Sequence, residues 1–173
     1  MNNNPFYLLV AISVITHIIR TIYEILKHKK ILKSNRLTFV IIFFNMVLLW
    51  FSWFGLCSID IIRITIPDVI RYLGIFLALS GVVLFLTALF TIKTLEDYSG
   101  DLITKGIYSK IRHPMYLGFI FWCIGGPVFY GGIFSSILSI SFIGNILFWR
   151  YLEEKELEKR FSEYKFYRVK TYF

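Results

Sequence analysis

Long apolar runs separated by short polar connections set the pattern of this chain. The first, residues 5–26, holds about 22 residues, roughly 33 Å of helix, enough to cross a hydrocarbon core of about 30 Å. The second covers residues 37–56, with Ser34 or Asn35 available as its N-cap. The third, residues 69–92, has Pro67-Asp68 as a start signal. Gly74, Ala78, Gly81 and Ala88 within it are small enough for close helix contact. The fourth, residues 115–130, gives only about 24 Å of helix and contains Gly125-Gly126-Pro127. Gly131-Gly132 then turns the chain, and residues 133–151 return it. The fold class expected is an all-α integral membrane protein of about five spans in one domain, 1–173. Its last two spans form a tight hairpin that stops short of the outer face.

Polar residues inside the runs carry further information. His17, Arg20 and Glu24 fall at i, i+3 and i+7 on one helix face, and Arg20 and Glu24 are spaced to pair. Two readings stay open: an ion pair snorkelling near the cytoplasmic end, or a face that lines a site. Asn45 reads as an interhelical hydrogen bond before a ligand. Cys57 and Cys123 sit in apolar runs and read as small buried hydrophobes, not as a disulfide or a metal pair.

The chain is 57% hydrophobic with a mean hydropathy of +0.65, which argues against a soluble domain of 173 residues. Its net charge of +8 sits largely in the connections, a distribution suited to anionic headgroups and not to nucleic acid. Met1-Asn2-Asn3-Asn4 lacks a basic n-region, so no cleaved signal is expected. Lys27 through Arg36 and Lys93 through Arg112 are the basic loops. They predict an external N-terminus and a cytoplasmic site, with the tail 152–173 also inside. Residues 58–68, with Asp60, Arg63 and Asp68, read as an outer loop of balanced charge.

The substantial polar passage between apolar runs is Leu102 to Tyr116, in which Thr104-Lys105-Gly106 marks a turn and His113-Pro114 a helix start. This loop and the charged end of the last helix, Glu153-Glu154 onward, are the two ends of one hairpin and emerge at the same face. Arg150 and Glu154, at i and i+4, should point the same way. Cations, carboxylates and tyrosines then wall a pocket open on one side to lipid. Residue types alone indicate an interfacial site for an anion or zwitterion. Each part also has a plainer reading: Arg112-His113-Pro114 as a headgroup anchor, residues 153–160 as a solvated helix face, and Tyr164, Tyr167 and Tyr172 as interfacial aromatics.

The passage Gly106-Ile107-Tyr108-Ser109-Lys110-Ile111-Arg112-His113-Pro114-Met115-Tyr116, followed by Glu153-Glu154 and then Phe161-Ser162-Glu163-Tyr164, resembles the isoprenylcysteine carboxyl methyltransferase family of membrane enzymes, with its phospholipid N-methyltransferase relatives. The resemblance spans roughly residues 88–170. It implies S-adenosylmethionine as methyl donor, S-adenosylhomocysteine as product, and a lipid or lipid-modified acceptor. The matching positions imply that Gly100, Asp101, Leu102, Ile103, Tyr108, Arg112, His113, Pro114, Met115 and Tyr116 wrap the cofactor. Glu153 and Glu154 would complete the wrap; Arg150 would face the substrate, with Arg150 and Glu154 the catalytic pair. Gly100 and Ser162 depart from the family pattern, which often has histidine and glycine there.

The acceptor implied first is the carboxylate of a prenylated cysteine. Phospholipid N-methylation and thiol S-methylation remain open. A carboxylate nucleophile needs no general base, whereas an amine would draw in a glutamate or His17. Sterol-type reductases using NADPH carry a similar Arg-His-Pro-x-Tyr loop, but Met115 and Phe119 depart from their pattern. A non-catalytic lipid-binding protein on the same scaffold is the remaining alternative.

Overall fold

The computed structural model describes residues 4–32, 35–92 and 101–173. Among the described residues there are six α-helices: α1 Asn4–His28, α2 Arg36–Ser58, α3 Asp68–Ile92, α4 Pro114–Tyr130, α5 Ile133–Arg160 and α6 Tyr164–Lys170. A 3-10 turn, Gly106–Ser109, precedes α4, and no strand forms among the described residues. Helices α1, α2, α3 and α5 are long and apolar enough to cross a membrane. α4, at 17 residues, is shorter, as its apolar run predicted. The chain is an all-α, multi-pass membrane protein.

Each helix starts and stops for a local reason. Asn35 caps α2: its side chain accepts from Thr38 N at 2.9 Å, and Thr38 Oγ1 accepts in turn from Asn35 N at 2.9 Å. α4 begins at His113-Pro114, with proline in the first turn, where its missing N–H loses nothing. It ends at Gly131, whose φ of 68° is the left-handed conformation a glycine takes without strain.

The connection between α2 and α3 departs from expectation. Asp60 is not a solvated loop charge: it is buried, and its carboxylate accepts from Ser135 N and Ser135 Oγ, each at 2.7 Å, and from Ile62 N at 2.9 Å. It therefore caps the first turn of α5 from another segment, satisfying N–H groups that the helix leaves open.

Small residues let α3 and α4 run in backbone contact. A methyl group built at Gly81 would sit 2.7 Å from the Gly118 carbonyl oxygen, and one at Gly125 would sit 2.7 Å from that of Gly74. α1 packs on α2 through Ser13 Oγ to Ser52 Oγ at 3.0 Å and Asn45 Nδ2 to Thr16 O at 3.1 Å, the interhelical bond expected of Asn45. His17 joins the α1–α5 contact instead of a site, its ring centroid 3.7 Å from that of Phe142. Between α2 and α4 the packing is sparser. Trp53 Nε1 donates to Trp122 O at 3.2 Å, and beside this bond the two helices leave a long groove.

Candidate active site

His113 lies at the junction of the loop and α4, with its side chain 3% exposed. Its two ring nitrogens face consecutive residues of α5. Nδ1 is 3.6 Å from Glu153 Oε2, and Nε2 is 3.4 Å from Glu154 Oε1. These are ion-pair distances, longer than direct hydrogen bonds. Successive helix residues project about 100° apart, so the two glutamates embrace the ring from different directions. Arg112 completes the group, its Nε 3.2 Å from Glu154 Oε1. Two cations and two carboxylates thus form a compensated cluster at the end of the α4–α5 hairpin.

Electrostatics follow from that packing. Burial pushes the His113 imidazole toward its neutral form, but the adjoining carboxylates of Glu153 and Glu154 outweigh it and raise its pKa above the ordinary 6.5. The same contact to His113 outweighs desolvation at Glu154 and, aided by Arg112, pulls its carboxyl down from 4.5 to about 2.

A cavity of about 960 Å³ opens beside the cluster. Of the residues singled out by sequence, Asp101, Leu102, Ile103, Tyr108, Arg112, His113, Met115, Tyr116 and Glu153 line it. Glu153, half-exposed, faces the cavity, whereas Glu154 is buried behind it against Arg112 and His113. Pro114 is buried and shapes the backbone without lining the space. Gly100 lies outside the described residues. Arg150 does not join Glu154: its guanidinium lies 4.5 Å from the Phe173 ring centroid, away from the cavity lining, and its buried Nε has no partner. Glu154 pairs with Arg112 instead, at 3.2 Å.

The tail corrects a second expectation. Tyr164 and Tyr167 are not interfacial aromatics. α6 folds back over the loop, so both line the cavity. Tyr164 is fully buried, with its hydroxyl 3.5 Å from His113 Nε2, and Tyr167 donates to Tyr108 O at 2.6 Å. Arg112 holds this fold, donating from Nη1 to Thr171 O at 2.6 Å and to Arg168 O at 2.9 Å. Tyr172 has an exposed ring, while its backbone N donates to Lys110 O at 2.8 Å. The signal was present as three tyrosines and a basic residue at short spacing, but a polar tail carries no apolar periodicity to show which way it turns.

Away from the charges the cavity becomes an aromatic groove. Phe39, Phe43, Met46, Trp50 and Phe54 recur at helical spacing on α2, opposite Phe119 and Trp122 of α4. From Phe39 to Ser58 the groove follows roughly 28 Å of helix, nearly the apolar thickness of a bilayer.

The family profile described as NnrU protein matches residues 5–171. The chain belongs to the NnrU protein family. Curated proteins similar to this NnrU family member include the protein-S-isoprenylcysteine O-methyltransferase of Xenopus laevis, 29% identical over 62% of this chain and 38% of that one. Protein-S-isoprenylcysteine O-methyltransferase A of Arabidopsis thaliana is 30% identical over 61% of this chain and 46% of its own length. The enzyme of Saccharomyces cerevisiae is 33% identical over 46% and 34%. The chain thus spans under half the length of these relatives, and the resemblance read from the Arg-His-Pro-Met-Tyr loop is to the same group of proteins. No solved structure gives a significant match.

Proposed function

We propose that this NnrU family protein is an S-adenosylmethionine-dependent membrane methyltransferase acting on a lipid-type acceptor, in first place the carboxylate of a prenylated cysteine. The observation that carries the reading is the continuity of two unlike spaces: the polar pocket at His113 and Glu153 opens directly into the α2–α4 aromatic groove. A water-soluble zwitterion suits the first and a hydrocarbon chain the second, so reactants from two phases meet at one point.

The residues fit the donor's chemistry. Glu153 faces the cavity with a carboxylate for ribose hydroxyls or an ammonium, and the His113 ring, when protonated, offers a carboxylate a charged donor. Leu102, Ile103 and Tyr108 supply an apolar and aromatic wall, and Tyr116 a ring face for a cation. When bound, S-adenosylmethionine would supply a methyl group on a sulfonium, open to in-line attack by the acceptor oxygen with the neutral thioether leaving. An acceptor carboxylate is already charged at neutral pH, so the chain needs no proton-abstracting residue. It contributes alignment and exclusion of water. Glu154 acts through His113 and Arg112 as a positioning residue. Lys27 and His28 in the last turn of α1, at the same end, favour a cytoplasmic pocket by the positive-inside rule, with the N-terminus outside.

Transfer of labelled methyl from S-adenosylmethionine, with the protein in lipid and farnesylcysteine and phosphatidylethanolamine offered side by side, tests the proposal. Label on farnesylcysteine is the expected result. Label on the phospholipid reassigns the acceptor, and label on neither, with intact protein, rejects this acceptor class.

A further inference from the structure

α1 is remote in sequence from the loop and the acidic pair, yet it brings a charge pair into the same cavity. Arg20 and Glu24 both line it, together with Tyr116 and Glu153, and they bond each other through Nη2 and Oε1. Their side chains are 17% and 12% exposed. The Arg20 guanidinium lies 5.4 Å from the Tyr23 ring centroid and 5.8 Å from that of Trp149, which fixes its plane. Glu24 satisfies one side of this fork. Nε is buried and has no hydrogen-bond partner, which is costly for a charged donor.

The cations around this end are not equivalent. Arg112 is engaged by Glu154 and two backbone carbonyls, and His113 by two glutamates. Lys27 lies two turns nearer the helix end, whereas Arg20 sits about 10 Å further into the apolar layer. It is therefore a cation placed where the aromatic groove gives way to the polar pocket. An anionic group entering on a lipid chain would arrive there needing both charge neutralisation and directional donors, which a guanidinium provides in a fork.

We propose that Arg20, braced by Glu24, is the anchor for the oxyanion of the lipid-chain acceptor. This rests on the acceptor reading above, and it assigns to α1 the substrate-facing role that the family resemblance gave to Arg150. Carboxylate and phosphate share the required chemistry, and binding experiments separate them.

The full chain in lipid nanodiscs is titrated with N-acetyl-S-farnesylcysteine, with its carboxamide, and with lysophosphatidic acid. Arg20→Ala is expected to weaken carboxylate binding about ten- to hundredfold, the range for a charge-assisted hydrogen bond, and to leave the uncharged carboxamide unchanged. Glu24→Gln keeps a hydrogen-bond acceptor but removes the competing charge, so it is expected to tighten carboxylate binding, a sign that a packing role would not produce. A loss confined to lysophosphatidic acid makes the oxyanion a phospholipid phosphate and keeps the anchor. Equal affinity of Arg20→Ala and the parent for both anions overturns the proposal, as does equal loss for carboxylate and carboxamide. If Arg20→Ala fails to fold, the Glu24→Gln comparison decides, and no change in carboxylate affinity overturns it. S-adenosylhomocysteine is titrated in parallel; its failure to bind the parent protein rejects the methyltransferase reading, while the dependence of anion binding on Arg20 is read separately.

Discussion

His113 Nε2 and Glu154 Oε1 stand 3.4 Å apart, joining a loop to a helix end across the whole α4–α5 hairpin. The opposite shifts of the two groups define a pH window. His113 titrates above its ordinary 6.5, so its stabilising charge is fully present below 6.5 and is lost as pH rises through the raised value. Glu154 titrates at about 2, so its contribution is present above 4.5 and is lost as pH falls through about 2. Thermal unfolding in detergent should be most resistant between about pH 5 and 6.5 and weaken on the alkaline side. His113→Gln should flatten the alkaline decline; the same decline in that variant would assign it to other groups.

The two glutamates should separate by readout. Glu154→Gln leaves Arg112, a mostly buried cation, without its carboxylate, a loss of about 3 kcal/mol that a shift in denaturation midpoint would reveal. Glu153→Gln removes a half-exposed group that faces the cavity and one of the two carboxylates beside His113, so its cost in stability should be smaller, about 1 kcal/mol, while S-adenosylhomocysteine affinity falls. Equal effects on stability would contradict this division.

Much of this was legible in the sequence because membrane helices declare themselves by length and apolar content, and caps such as Asn35 and His113-Pro114 by residue type. The meeting of His113 with Glu153 and Glu154 was legible too, since a hairpin must bring its ends together. What could not be read was partner choice among similar charges. Arg150 and Glu154 share a helix face, but Arg112, arriving from the loop, takes the carboxylate. Asp60 looked like loop charge because nothing local shows that its partner is Ser135, 75 residues on. Tyr164 and Tyr167 were hidden because the turn after Phe161 rests on tertiary hydrogen bonds to Tyr108 and Arg112.

The tail offers its own check. Tyr167→Phe removes a 2.6 Å bond to the Tyr108 carbonyl, worth about 1 kcal/mol. Because α6 is held over the loop by few such bonds, hydrogen exchange should quicken at Lys110, Arg112 and Tyr172 while α1 to α3 stay protected. Uniform acceleration throughout the chain would indicate global destabilisation instead.

The central claim, a methyl-donor pocket built on His113, is tested most directly by calorimetric titration of S-adenosylhomocysteine into the detergent-solubilised protein and its His113→Ala variant, with helical circular dichroism as the check on folding. Saturable binding to the parent and none to a folded His113→Ala is the predicted result. Equal binding to both, or none to the parent, would contradict it.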